Sequence, residues 1–263
     1  MIRTTICVHP NDYISDHFVT GDIYENKDIN VLFRILWQYP NIALIDIGAN
    51  IGTYTMFAAA MGRLVIAIEC FEPNYMRIAK AVQIENLHNK VILIGNAVYS
   101  KSGQYVTLTK SPESVASQEL IGVTSKNQSV HDPYIVTTIQ LDDILSIIKQ
   151  TKFRSFAMKI DIEGSEYYVF ESGKQIFDYV DIPIIVVEWV FNSIPTNKIR
   201  KFVDVEPYKE KSKLKETDPK TAHEKCKQIQ GFIVEFPIDF LADDMTMPKW
   251  TTSEGMAPIS LWT

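Results

Sequence analysis

Between about residue 40 and residue 190 the chain alternates two hydrophobic rhythms. Short runs are almost continuously apolar, and longer stretches repeat apolar residues on one helical face. The first rhythm belongs to strands buried on both sides and the second to amphipathic helices, so their alternation predicts a mainly parallel sheet with helices on both faces. "NIALIDI" (41–47) reads as a strand and "TYTMFAAAM" (53–61) as a helix ended by Gly62, a residue suited to a C-terminal cap. "LVIAIECF" (64–71) makes a second strand, Pro73 starts a turn, "NYMRIAKAVQIENL" (74–87) is a helix and "VILI" (91–94) a third strand. From 98 to 140 the pattern changes. "YVTLTK" and "YIVTTI" are β-prone pieces around a polar stretch, which predicts an antiparallel excursion after the third strand. "FAMKIDI" (156–162) and "IPIIVVEWV" (182–190) then resume the buried parallel strands.

The flanks are less regular. "HFVTGDIYENKDINVLFRILWQY" predicts a loop and a helix covering one end of the sheet. Residues 198–228 are lysine-rich but mixed in sign, which reads as a solvated face rather than a nucleic-acid patch. "GFIVEFPIDFL" (231–241) adds a late strand. The expected organisation is an N-terminal cap segment (1–40), a core (41–190) and a C-terminal extension packed on the same domain (191–263).

Composition narrows the partners. With 263 residues, 46% of them hydrophobic, the chain can bury the core of one large α/β domain. A formal charge of −6 offers no general attraction to nucleic acid or anionic lipid, and small neutral or cationic ligands fit better. No apolar run is long enough to span a bilayer, and "MIRTTICVHPNDY" lacks the apolar segment of a signal peptide. The chain as given therefore reads as soluble and cytoplasmic. Its three separated cysteines, Cys7, Cys70 and Cys226, form no C-x-x-C pair and suit a reducing compartment.

The turn "IDIGANIGTYT" joins strand to helix, placing Gly48, Ala49, Asn50 and Gly52 where backbone N–H groups face a ligand. A dinucleotide fingerprint requires G-x-G-x-x-G, whereas this chain has Gly48, Asn50 and Thr53 at those positions, which weakens an NAD(P)-dependent oxidoreductase reading. Asp46 would repel a pyrophosphate and attract the ammonium of S-adenosylmethionine (SAM). Glu72, ~20 residues beyond Gly52, stands where a carboxylate accepts both ribose hydroxyls, with Glu69 as the alternative. Asp46, Glu72, Asn96, Asp161 and Glu188 each end a predicted strand, and ligands of open parallel sheets bind at that edge.

The acids of "KIDIEGSE" are the candidate chemistry. Asp161 and Glu163 can border a substrate, and either can serve as general base toward a hydroxyl. Glu166 reads as a first-turn helix acid. Lys159 shares a face with Asp161, where it contacts substrate or forms a structural ion pair. Asp161, Glu163 and Glu188 are hard oxygen donors, but no ligand pattern flanks them, so no metal is expected. His9, His17, His88, His131 and His223 occupy no strand end and read as surface or loop residues; His17 is the one retained as a rival base.

"LIDIGANIGTYT", "FEPN", "TIQLDDIL" and "MKIDIEGSEYYVFESG", preceded by "GDIYE" (21–25), resemble in order the motifs of the FkbM-type SAM-dependent methyltransferases, over about residues 20–190. The resemblance implies a Rossmann-like class I methyltransferase fold, SAM as cofactor with Glu25 among its contacts, and methylation of a hydroxyl on a sugar, glycolipid or polyketide-like molecule. A non-catalytic binding module is the other alternative, disfavoured because a dead pocket has no physical need for adjacent buried carboxylates. Residues 198–263 match the family nowhere closely.

Overall fold

The protein is described from a computed structural model that covers residues 2–21, 26–110, 115, 118–125, 132–188 and 232–235. Two helices precede the sheet, α1 (Tyr13–Thr20) and α2 (Asn26–Gln38). Asp12 caps α1 by accepting from the Ser15 amide at 3.0 Å, and Gly21 ends it at φ 85°. Asp12 and Gly21 are legible start and stop signals for a helix where a loop was expected. In α2 the buried Ile29, Leu32, Phe33 and Leu36 recur at helical spacing. That stripe lays α2 against a face of the sheet, beside Leu44, Ala58 and Val65, rather than over one end.

The chain then runs β1 (Ala43–Ile47), α3 (Thr53–Ala60), β2 (Val65–Ile68), α4 (Glu72–Ile84) and β3 (Val91–Ile94). Pro73 lies inside the first turn of α4 rather than in a turn before it, since a first-turn residue needs no N–H partner. An excursion follows: β4 (Ala97–Val98), β5 (Tyr105–Leu108), β6 (Leu120–Thr124) and β7 (Ile135–Ile139). β5 pairs antiparallel with both β6 and β7, and β4 pairs parallel with β7, over a small core of Phe71, Val106 and Leu108. A short 3₁₀ turn and α5 (Leu145–Gln150) lead to β8 (Ser155–Ile160), α6 (Tyr167–Ser172), α7 (Lys174–Tyr179) and β9 (Asp181–Val187). β10 (Phe232–Glu235) joins the same sheet beyond β9.

The main sheet has the order β10-β9-β8-β1-β2-β3, and every neighbouring pair is parallel. The chain steps outward from β1 in one direction, returns to the centre at β8 and steps outward in the other, which is the doubly wound α/β arrangement. All residues of β1 and β2 are buried, because α2, α3 and α4 cover one face and α5, α6 and α7 the other. The expected strand 41–47 ends as drawn, at Ile47, whereas 64–71 and 156–162 end earlier, at Ile68 and Ile160. Glu69 and Asp161 therefore stand one residue beyond their strands, on loops at the sheet's carboxyl edge.

Because α2 belongs to the core, Leu32→Ala should cost about 2–5 kcal/mol. Urea unfolding should show a lower midpoint in a single transition; a separate early transition would mean that α2 detaches independently.

Candidate functional site

The order of the sheet reverses between β1 and β8, and a cleft opens there, with about 900 Å³ of protein-free space partly continuous with solvent. Among the residues singled out in the sequence, Gly48, Asn50, Asn96, Asp161, Glu163 and Glu188 line it. Asp46, Ala49, Gly52, Glu72 and Lys159 do not, and Glu25 lies outside the described residues.

The turn after β1 is docked onto the end of β2: the Gly48 and Ala49 amides both donate to the Ile68 carbonyl, at 2.9 and 3.1 Å. Gly48 has φ 78°, and a Cβ there would fall on the backbone carbonyl of Asp161, so glycine is required by the protein's own crossing loop. Asn50, at φ 53°, donates its amide to Glu69 Oε2 at 2.8 Å, while Glu69 Oε1 accepts from Phe71 N at 2.8 Å. Glu69 thus braces the turn and also lines the cleft. Burial pushes its carboxyl up to about 7, against the lowering effect of its two backbone bonds and of Lys159. Glu72, by contrast, is an exposed first-turn residue of α4. The acid that follows β2 into the cleft is Glu69, and the helix begins too early for Glu72 to reach it.

Asp46 does not line the cleft. It is 0% exposed, opposite Lys159 in the β1–β8 register, and its Oδ2 accepts from the Thr55 hydroxyl of α3 at 2.6 Å. Burial raises its carboxyl, against Lys159 and Thr55. Strand alternation turned this side chain toward α3, away from the edge that its position suggested.

Lys159 is likewise buried, and its ammonium is held by Asp161 Oδ2 at 2.9 Å and the Gly48 carbonyl at 2.8 Å, with the Tyr54 ring 5.3 Å away. Its ammonium is tied internally, and it does not line the cleft. For Asp161, burial alone raises the carboxyl, but the Lys159 charge and hydrogen bonds with Glu188 and Lys159 outweigh it and hold Asp161 below the ordinary value. Glu163 follows on the rim at φ 51°.

Several contributors to the cleft were not anticipated. Tyr13 and Ile14 of α1 line it, as do Cys70, Asn74, Gln118 and Leu120. Asn74, 2% exposed, is bonded through Oδ1 to His9 Nε2 at 2.7 Å. His9 is therefore buried rather than superficial, and burial lowers its pKa. His17 packs edge-on against Tyr13, at 5.0 Å, outside the lining. Among the described residues no three His, Cys, Asp or Glu side chains cluster to hold a metal ion, and no helix is long and apolar enough to cross a membrane.

A doubly wound parallel sheet, a glycine turn after its first strand and an acid-lined crevice at the switch point define a Rossmann-like α/β fold. The model of the methyltransferase FkbM domain matches residues 46–211, and the chain belongs to that family of methyltransferases. A stretch of 78 residues, 30% of this chain, is also 31% identical to phospholipase D1 of Homo sapiens and to phospholipase D2 of Bos taurus. These matches cover 7% and 8% of the two proteins, so the chain spans less than a tenth of the curated relatives it matches. No solved structure gives a significant match.

The raised Glu69 carboxyl has a stability signature. Its folded value of about 7 exceeds the ordinary 4.5, so its stabilising contribution is complete below pH ~4.5 and is lost as pH rises through about 7. The melting temperature of the native protein relative to Glu69→Gln should fall across that window. A constant difference between the two would remove the perturbed carboxyl from the argument.

Proposed function

We propose that the protein is a SAM-dependent O-methyltransferase acting on a hydroxyl of a sugar, glycolipid or polyketide-like small molecule. The observation that carries this reading is the division of one cleft into two acidic sides: Glu69 at the end of β2, and Asp161, Glu163 and Glu188 beyond β8 and β9. The donor set suits SAM. Glu69 offers a buried carboxylate to ribose hydroxyls, Ile68 and Cys70 offer apolar surface beside it, and the Gly48–Asn50 turn offers close backbone. Bound SAM supplies an electrophilic methyl group on a positively charged sulfur. The chain's own work is to align the acceptor hydroxyl and take its proton. Asp161, ionised at working pH by its pairing with Lys159, accepts that proton, and Glu163 at the rim orients the acceptor. The pairing that keeps Asp161 charged also makes it a weak base, so the gain from proton transfer belongs at the lower end of the general-base range.

Titration with S-adenosylhomocysteine tests the cofactor side. Glu69→Ala should weaken binding by about 1–3 kcal/mol, the usual loss for a charge-assisted hydrogen bond, and Glu72→Ala should leave it unchanged. The reverse pattern would restore Glu72 to the site.

For the acceptor side, turnover is followed as label transferred from SAM to the small-molecule fraction of a cell extract. Asp161→Asn should lower it about 10²-fold with cofactor affinity kept within a few-fold, and Glu163→Gln should act mainly on acceptor KM. The melting temperature of Asp161→Asn should also fall, because the buried Lys159 ammonium loses its counter-charge. Normal turnover in both variants would leave the carboxylates structural.

A further inference from the structure

Behind the rim of the cleft lies an acid that the proposed reaction does not use. Glu166 is 1% exposed and is absent from the lining. Its Oε1 accepts two backbone amides, Ile162 N at 3.2 Å and Gly164 N at 3.0 Å, while its buried Oε2 has no partner. The two bonded peptides bracket Ile162 and Glu163, both of which line the cleft. Within that bracket the backbone is unusual. Glu163 has φ 51° and Gly164 has φ 86°, two left-handed residues in succession, and the first carries a Cβ that disfavours the conformation. The bond from Ser165 N to the Ile162 carbonyl, at 3.2 Å, closes the turn and holds the peptide before Glu163, whereas the peptide after it is held through Gly164 N by Glu166.

We propose that Glu166 is a positioning residue for methyl transfer, clamping the 162–164 turn in the left-handed form that presents Glu163 to the acceptor. The proposal rests on the reading of Glu163 as an acceptor contact. The geometry makes reach, rather than charge, the property that matters: one carboxyl oxygen at the end of a two-carbon arm must sit between two amides. An unpartnered buried oxygen is a desolvation cost with no return for packing, which is consistent with a group held there for its other oxygen. Burial also pushes the Glu166 carboxyl up, against its backbone bonds, toward a neutral form that glutamine imitates.

Two substitutions separate reach from charge. Glu166→Gln keeps the arm and one carbonyl acceptor, whereas Glu166→Asp keeps the charge and shortens the arm. Turnover of labelled SAM with the extract fraction should fall about 10²-fold in Glu166→Asp, the scale of loss for a catalytic group displaced by about 1 Å, and should be mostly retained in Glu166→Gln. Affinity for S-adenosylhomocysteine should be unchanged in both. Melting supplies a readout independent of any acceptor: in a Glu163→Gly background, where positive φ costs nothing, Glu166→Asp should lower the melting temperature less than it does beside the native Glu163. Equal losses in the two backgrounds, or a more active aspartate than glutamine variant, would overturn the proposal. If Glu166→Asp turns over normally while Glu163→Gln is impaired, the clamp is refuted and the acceptor reading stands. If Glu163→Gln is also normal, Glu163 is irrelevant to the reaction and both fall.

Discussion

Two loops from opposite halves of the chain touch at the centre of the sheet, and Lys159 ties them. Its ammonium donates to the Gly48 carbonyl and pairs with Asp161, while the Asp161 amide donates to the Ile47 carbonyl at 3.1 Å. This crossing is possible only because residue 48 has no side chain. A buried lysine is costly unless every partner is in place, so the tie sets the spacing between the side of the cleft read as binding SAM and the side read as binding acceptor. Glu69 repeats the device on the other flank, where a single carboxylate bonds both the β1 turn and the start of α4.

The strands and their helices were legible because burial on both faces leaves an uninterrupted apolar run, which few other environments permit. The antiparallel excursion was legible from its change of residue type. What the sequence hid was direction. Asp46, Lys159 and Glu69 are adjacent to the cleft in the chain, yet only Glu69 enters it, because alternation and the early end of β2 decide which side chain emerges. Glu72 stands outside the lining for the same cause: a helix beginning at Glu72 leaves it exposed, and a count of residues from Gly52 cannot register where a strand stops. The place of α1 was hidden for a different reason, since no local pattern reports that Tyr13 lines one cleft with residues a hundred positions away.

The fold also explains why so many titratable groups near the cleft are displaced from their ordinary values. The carboxyl edge of a buried sheet removes water from acids at the cleft and behind it. Asp46 and Glu166 respond by rising, whereas Asp161 is held down by a cation supplied from its own strand. Environment, more than residue type, sorts these acids into those that brace the backbone and one that stays charged.

Asp12 has a wider meaning than capping a helix. One oxygen holds the Ser15 amide and hydroxyl, at 3.0 and 2.8 Å, and the other accepts from Val115 N at 3.2 Å, a residue 103 positions later. The start of α1 and the chain just before β6 are thereby fastened to one carboxylate, on the side of the cleft where Tyr13, Gln118 and Leu120 face the interior. Both fastened segments lie apart from the strand ends that carry Glu69 and Asp161. This wall can therefore vary in sequence without disturbing the strand ends at Glu69 and Asp161, so membership of the methyltransferase FkbM family does not by itself fix the shape of the cleft.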